Sequence, residues 1–568
     1  MLIVGIHNTG IISSAAIVVD GVLRFGCAEE RLDRRKYSKY FPFQAIDAGL
    51  AHVGKRLDDV DAFAVGWNPA INIAERYRAG FSEWPGYPGE RFYSDPNQIL
   101  PRLPQTGMSA TDQVFHRDTG KPTRLVHVTH HVSHAATAYY ASGFNEAAIL
   151  TCDSYGERAT TAWFRAHDGE IELLRELRFP HSIGQFYSAL TQFLGFRPNL
   201  DEWKVMGAAA YGDAAVFRDQ LDTLLLCDDE AGLELDLRYF QHFNFDVAEM
   251  FTPRLTALLG PPRLHGEPIE QRHFDLAAAL QSVTEDYLFN AVSWLREQVN
   301  VPNLCLSGGV TMNSVFNGRI AAEGPFKNVY IPFAPDDSGN SIGAALWVAA
   351  REGAAIDSAA AANPYLGQDY DDAEIEKQIT IAKLHAERPA DIPTTVSALL
   401  IDGCIVGWHQ ARMEFGQRAL GARSILADPR DAAIRDRINQ AVKFRESFRP
   451  FAPAVLAEEA SKWFEMPRLL HAPYMEKVLY IRPEMRERIP AVVHADGSGR
   501  VQTVDKKLNP IFHSLIAAFG KATGVPIVLN TSFNINNEPI VESPADALRT
   551  FFSSGLDALV LGPYLLCK

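Results

Sequence analysis

The sequence predicts an α/β protein made of two related lobes followed by a further α/β domain, and three observations carry that expectation. A short apolar meander opens the chain: residues 2–6, 15–19 and 22–27 read as strands, the last two joined by the turn signal Asp20-Gly21. The same pattern returns about 150 residues later, with strands at 147–152, 160–165 and 171–177 and a turn at Asp168-Gly169. An alanine-rich stretch, GAAIDSAAAANP at 353–364, then reads as a linker. The expected domains are residues 1–355 and 364–568, the second opening with a helix over 391–400 and a strand over 404–408.

Two lobes that each open with such a meander match the actin and sugar-kinase ATPase superfold, with nucleotide in the cleft between them; fold analogy of this kind does not by itself give function. At 568 residues and 47% hydrophobic content the chain exceeds a single core. The opening MLIVGIHNTG has no basic segment and no apolar run reaches about 18 residues, so the expected location is cytoplasmic, without secretion or membrane spanning. Six scattered cysteines without CxxC spacing read as core thiols. A net charge of −15 disfavours a nucleic-acid surface. Against it, the nine basic residues Arg412, Arg418, Arg423, Arg430, Arg435, Arg437, Lys443, Arg445 and Arg449 form a local density suited to a small anion.

Candidate chemistry begins at HVTHHVSHA. If Thr129 caps a helix, His130 and His134 share one face, and Asp153 at the end of the strand AAILTC can complete a site begun by two imidazoles. The same residues also suit an ordinary polar helix start. Asp337, in the acidic turn APDDSGNS, is a candidate fourth ligand or an N-cap. Lys36 stands among mixed charges, residues 68–120 read as an irregular excursion or lid, and SIGQFYSALTQFLGF reads as a core helix. In NLCLSGGVTMN a strand meets a glycine turn and a helix start, a cradle for phosphate or sugar hydroxyls that includes Gly308, Gly309 and Asn313. Lys204 in EWKVMGAAAYG, Arg500 in RVQTV, and the polar turn Asn530, Thr531, Ser532 and Asn534 offer further groups that bind ligand or only close local structure.

Ten ordered blocks carry a resemblance. They are VDG…EERLDRRK, HHVSHA…DSYGE, SIGQFYSALT, KVMGAAAYG, LSGGVTMNSVFNGR, APDDSGNSIGAAL, GQRALGARSILADPR, INQAVKFRESFRPFAPAVL, RVQTV and NTSFN. Across nearly its whole length the chain resembles the O-carbamoyltransferases that include the nodulation protein NodU and the tobramycin, novobiocin and cephamycin enzymes. The resemblance implies an actin-like ATPase (duplicated ribonuclease H-like) N-terminal domain and a YrdC-like C-terminal domain with a twisted open α/β sheet. It implies that the C-terminal domain makes carbamoyl adenylate from ATP and carbamoyl phosphate, and that the N-terminal domain transfers the carbamoyl group to a small-molecule hydroxyl. His130, His134, Asp153 and Asp337 become ligands of Fe2+ or a similar metal, with Lys36, His130 and Asp153 in catalytic roles. Arg418, Arg423, Lys443, Arg449, Arg500 and Asn530 become holders of ATP and carbamoyl phosphate, with Mg2+ accompanying ATP.

One departure stands out. The family's His-Asp-x-Ser motif falls on Ile11, Ile12, Ser13 and Ser14, so the usual histidine near the acceptor is missing. His7, Asn8 or a metal-bound group is a substitute, or His7 is a hydrogen-bonded residue at a strand end. The acceptor expected is therefore one suited to a more apolar pocket than an aminoglycoside's. A tRNA threonylcarbamoyl-type transferase and a silent ATP-binding regulator are the alternative functions, disfavoured by the acidic charge and by the retained ligand and arginine sets. Absence of paired CxxC motifs disfavours a hydrogenase-maturation enzyme. A homodimer is an allowed assembly.

Overall fold

The computed structural model describes all residues except 10, 70–109, 117, 119, 229, 444–448, 450 and 467–469. Most of the excursion expected at 68–120 thus lies outside the described residues, as does Arg445.

The first sheet contains β1 (Leu2–His7), β2 (Ser14–Val19), β3 (Val22–Ala28), β4 (Ala62–Val65), β5 (Ala110–Phe115) and β6 (Thr123–Val128), in the order β3-β2-β1-β4-β6-β5. β2 runs antiparallel to β1, and β4 and β6 continue parallel. The second sheet contains β7 (Glu146–Cys152), β8 (Ala159–His167), β9 (Glu170–Arg178), β12 (Asn303–Ser307) and β13 (Asn328–Tyr330), in the order β13-β12-β7-β8-β9; a small hairpin of β10 (Leu225–Cys227) and β11 (Leu233–Leu235) lies outside it. Here too the second strand is antiparallel and the later ones parallel. The expected repeat is therefore a duplicated ribonuclease H-like fold. Even its turns repeat: Asp20 and Gly21 sit at φ 50° and 79°, Asp168 and Gly169 at 49° and 86°, both residues positive as a type I′ hairpin demands.

Continuous burial of LIVGIH in β1 and of AAILTC in β7 places both strands at the centre of sheets covered on each face. The cover between them is made by helices His130–Ser142 and Asn340–Arg351. Glycine lets these layers touch. A Cβ at Gly5 would stand 1.8 Å from the Ser341 carbonyl oxygen, and one at Gly343 would stand 1.9 Å from that of Ser133. The histidine-bearing helix is thereby clamped by backbone contact and stops at Gly143, in left-handed conformation at φ 70°.

The C-terminal sheet has eight strands: β14 (Val406–His409), β15 (Arg423–Ala427), β16 (Ala452–Leu456), β17 (Lys477–Tyr480), β18 (Ser498–Val504), β19 (Ile527–Ser532), β20 (Ala558–Leu561) and β21 (Tyr564–Cys567). Their order is β17-β18-β16-β19-β15-β14-β20-β21, a mixed open sheet of the kind expected for a YrdC-like domain. It is not loosely tethered. The stretch read as a linker contains helix Ser358–Ala361 with Ala361 buried, and Phe415, Leu420, Ala452 and Tyr474 join the core around the histidine helix. A Cβ at Gly318 would stand 1.9 Å from the Val478 carbonyl oxygen, so helix Ser314–Glu323 rests directly on β17.

Replacing Gly343 with alanine forces a methyl group into the Ser133 carbonyl. The expected result is destabilisation of about 1–3 kcal/mol, read from the urea midpoint.

Candidate functional site

The strand β6 delivers the chain to helix His130–Ser142, and helical spacing puts His130 and His134 on one face. Asp153 follows the end of β7, and Asp337 opens a short 3-10 turn just before helix Asn340–Arg351. The His134 Nε2 stands 3.1 Å from His130 Nε2, 3.0 Å from Asp153 Oδ2 and 3.4 Å from Asp337 Oδ1; His130 Nε2 is 3.5 Å and 3.4 Å from the same two oxygens. Ligands about 2.1 Å from one cation lie about 3.0–3.4 Å from each other at octahedral or tetrahedral angles, so these donor atoms fit a shared divalent ion. Asp337 Oδ1 is buried without a hydrogen-bond donor, which also fits that role. All four predicted ligands converge, within 4.8 Å of one another.

Electrostatics agree. Burial opposes charge on Asp153, but the two imidazoles hold its carboxyl well below the usual range. Burial would also depress His134, yet Asp153 and Asp337 push it up to about 9. A divalent cation substitutes for such protons, because ligating imidazoles must be neutral. His131 is different: burial, then its histidine neighbours, lower it to about 3, and its ring is fixed between Thr151 Oγ1 (2.7 Å) and the Ala159 carbonyl (3.0 Å).

The capping of the helix departs from expectation. Thr129 occupies the N-cap position but makes no side-chain cap; the Glu157 carboxylate accepts the His130 N–H at 2.9 Å and the Asn68 N–H at 2.6 Å. A carboxylate satisfies an orphan amide there and suits the positive helix end. Asn340 Nδ2 lies 3.2 Å from His130 Nδ1 and from His134 Nε2. Sequence spacing does not point to Glu157 or Asn340, although they fall inside DSYGE and APDDSGNSIGAAL. His7 Nε2 stands 2.8 Å from the Thr9 carbonyl and 3.6 Å from Asp337, so it is a hydrogen-bonded strand-end residue beside the ligands.

One cavity adjoins this group, and a second, larger one shares part of its wall. The smaller, about 190 Å³, is lined by Ile11, Ile12, Asp153, Asp337, Gly309, Asn313 and Glu202, among others. The Gly309 N–H donates to Asp153 Oδ2 at 3.0 Å, and Gly308 takes φ 98° where a Cβ would collide with the Cys152 carbonyl 2.2 Å away. Asn313 Oδ1 caps helix Ser314–Glu323 by accepting from the Phe316 N–H. The larger cavity, about 690 Å³, gathers Lys36, Arg418, Lys443, Arg449, Arg500 and Asn530 from the predicted set, together with Arg197, Trp203, Lys204 and Arg435. Arg418 is lowered to about 10 by burial and stays cationic at neutral pH. Lys443 donates to the Ser532 carbonyl at 2.5 Å and to Asn534 Oδ1 at 2.7 Å; of the residues read as a polar turn, Asn530, Thr531 and Ser532 end β19 and only Asn534 lies beyond it. Arg449 lies 3.9 Å over the Trp203 ring, and Lys36 stands 3.3 Å from Glu30. Ile12, Tyr37, Trp203, Met206 and Gln417 line both cavities.

Arg423 stands apart. Its guanidinium is fully buried and donates to the carbonyls of Glu542, Gln410, Ala411 and Ala422, so it braces the sheet and does not line the larger cavity. Arg412, Arg430 and Arg437 likewise serve the Gly367 carbonyl, Asp428 and Asp557. The basic density thus divides between framework and cavity.

Comparison with known proteins places these features in a family. Residues 2–346 match the model described as Carbamoyltransferase N-terminus, and residues 397–568 match Carbamoyltransferase C-terminus. The nodulation protein NolNO of Sinorhizobium fredii is 36% identical over 569 residues, 99% of this chain and 80% of that protein. NolO of Bradyrhizobium diazoefficiens is 37% identical over 78% of this chain and 79% of its own length. The 3'-hydroxymethylcephem-O-carbamoyltransferase of Amycolatopsis lactamdurans is 29% identical over 78% of this chain and 81% of that protein. With both family models matched in order over most of its length, this chain belongs to the carbamoyltransferase family and is a transferase.

Proposed function

We propose that the enzyme makes carbamoyl adenylate from ATP and carbamoyl phosphate in the larger cavity and transfers the carbamoyl group to a hydroxyl of a small molecule beside the His130, His134, Asp153 and Asp337 group. The observation that carries this reading is the shared wall of the two cavities, formed by Ile12, Tyr37, Trp203, Met206 and Gln417. A mixed carbamoyl–phosphoryl anhydride hydrolyses readily, so a site that makes it and a site that uses it gain from direct connection.

Joining two polyanions needs fixed positive charge. Arg418, Lys443, Arg449 and Arg500 supply it, with Mg2+ accompanying ATP. Water first cleaves the carbamoyl–phosphate linkage to give carbamate and phosphate; a carbamate oxygen then bonds to the α-phosphorus while the bond to the β-phosphate bridging oxygen breaks and pyrophosphate leaves, so each turnover consumes one water and releases one phosphate and one pyrophosphate. Gly309 and Asn313 receive the nucleoside side of the adenylate in the smaller cavity. Lys36, whose ammonium is drawn down by burial and restrained by Glu30, steadies the phosphate that leaves as AMP. The four His and Asp side chains would hold Fe2+ or a similar divalent ion, which supplies Lewis-acid polarisation of the carbamoyl oxygen. The acceptor oxygen bonds to the carbamoyl carbon while the bond to AMP oxygen breaks.

Two outcomes are expected. With ATP and carbamoyl phosphate but no acceptor, the enzyme should release pyrophosphate, and Arg418→Ala should lower the rate about 10²-fold or more. Release only with threonine and bicarbonate would point to threonylcarbamoyl chemistry, and no release under either condition to a silent binder. Asp337→Asn should lower bound metal, measured by elemental analysis, and abolish transfer while acceptor-free pyrophosphate release persists.

A further inference from the structure

Cleavage of carbamoyl phosphate by water needs a group that takes a proton, and the wall of the larger cavity holds one that no step above uses. The segment HADGS turns His494 back against Ser498: the His494 N–H donates to the Ser498 carbonyl at 2.8 Å, the Gly497 N–H donates to the His494 carbonyl at 3.0 Å, and Gly497 takes φ 81° to close the turn. Ser498 then opens β18, and Arg500, two residues on, shares its face of the strand. His494, Asp496, Ser498 and Arg500 all line the larger cavity. Hydrogen bonds decide which imidazole nitrogen carries the hydrogen. Asp496 Oδ1 accepts the Ser498 N–H at 3.0 Å and the Ser498 hydroxyl at 2.7 Å. With its one hydrogen given to Asp496, Ser498 Oγ accepts from His494 Nδ1, 3.1 Å away, and Nε2 is left as the bare nitrogen. That atom is buried and has no hydrogen-bond partner among the described residues.

We propose that His494 is the base that activates the water for cleavage of carbamoyl phosphate. The inference rests on the carbamoyl-adenylate reading above, which it deepens by giving the first step a residue. The water oxygen bonds to phosphorus, the bond from phosphorus to the carbamoyl oxygen breaks, and carbamate leaves with that electron pair. One water proton moves to His494 Nε2 and the other stays on the phosphate. Arg418, Lys443, Arg449 and Arg500 are donors only, so they offset the phosphate charge that repels a nucleophile but take no proton from it. The imidazole is ready to do so. Burial lowers it to about 4, with Asp496 opposing and Arg500 adding to the shift, so the ring is neutral before substrate arrives. Bound carbamoyl phosphate brings negative charge that favours the imidazolium, and Asp496 supports the same charge through Ser498, in the manner of a carboxylate that orients a catalytic histidine.

The test separates cleavage from adenylation by supplying carbamate ready-made. Acceptor-free pyrophosphate release is measured on the whole enzyme with ATP and either carbamoyl phosphate or freshly dissolved ammonium carbamate, after subtraction of the rate without enzyme. His494→Gln should lower carbamoyl phosphate-dependent release about 10²-fold or more and leave carbamate-dependent release at the wild-type rate. Ser498→Ala, which removes the hydroxyl that orients the ring, should show the same pattern with a smaller loss, so the pattern can be read even where the His494 variant fails to fold. In water labelled with oxygen-18, the phosphate released by the wild type should carry the label. Equal loss with both donors, an undiminished rate with carbamoyl phosphate, or unlabelled phosphate would overturn the proposal. Wild-type release from carbamate alone would overturn it and leave adenylation standing, whereas release from neither donor would overturn the adenylate reading along with it.

Discussion

The arrangement depends on two carboxylates and two imidazoles held 3.0–3.5 Å apart inside the protein. Asp153 and Asp337 would repel each other in a low-dielectric interior unless positive charge lay between them, and the raised His134 shows how strongly that charge is drawn. Everything near the group serves to hold it. Gly5 and Gly343 let helix Asn340–Arg351 press onto β1 and the histidine helix, Gly308 lets the β12 turn cross the end of β7, and Glu157 fixes the first turn of the histidine helix. The glycines are there because any side chain would separate the elements that carry these four side chains.

Placing this group at the meeting of the duplicated lobes also explains the docking of the C-terminal sheet. That sheet shares a core with the N-terminal body through Phe415, Leu420 and Tyr474, and its Gln417 lies on the common wall of the two cavities and donates to Asp336 at 2.7 Å. The cationic cavity and the His/Asp group are thereby fixed relative to each other by packing, without any tether that must find its target.

Much of this was legible in the sequence, and the reasons differ by feature. The meanders were visible because strands buried on both faces read as continuous apolar runs and Asp-Gly specifies a tight hairpin. The His130 and His134 pair followed from helical period alone, whereas Asp153 and Asp337 needed the tertiary fold to meet it, so spacing left each of them open to a bland role. The arginines show the limit more sharply. Arg418 and Arg423 look equivalent in GQRALGAR, yet one faces the cavity and the other is spent on four backbone carbonyls, a distinction set by strand direction and burial. Glu157 went unnoticed because a cap supplied from 27 residues downstream has no local signature, and Thr129 offered a plausible local one.

The central claim is that the carbamoyl group travels between the two cavities as a mixed anhydride with AMP. Carbamoyl phosphate labelled with oxygen-18 in its carbamoyl oxygens tests it most directly, by mass spectrometry of the AMP formed during turnover with an accepted hydroxyl compound. If the adenylate forms, AMP departs with an oxygen that came from the carbamoyl donor and carries the label. Unlabelled AMP, or transfer without AMP formation, would contradict the account.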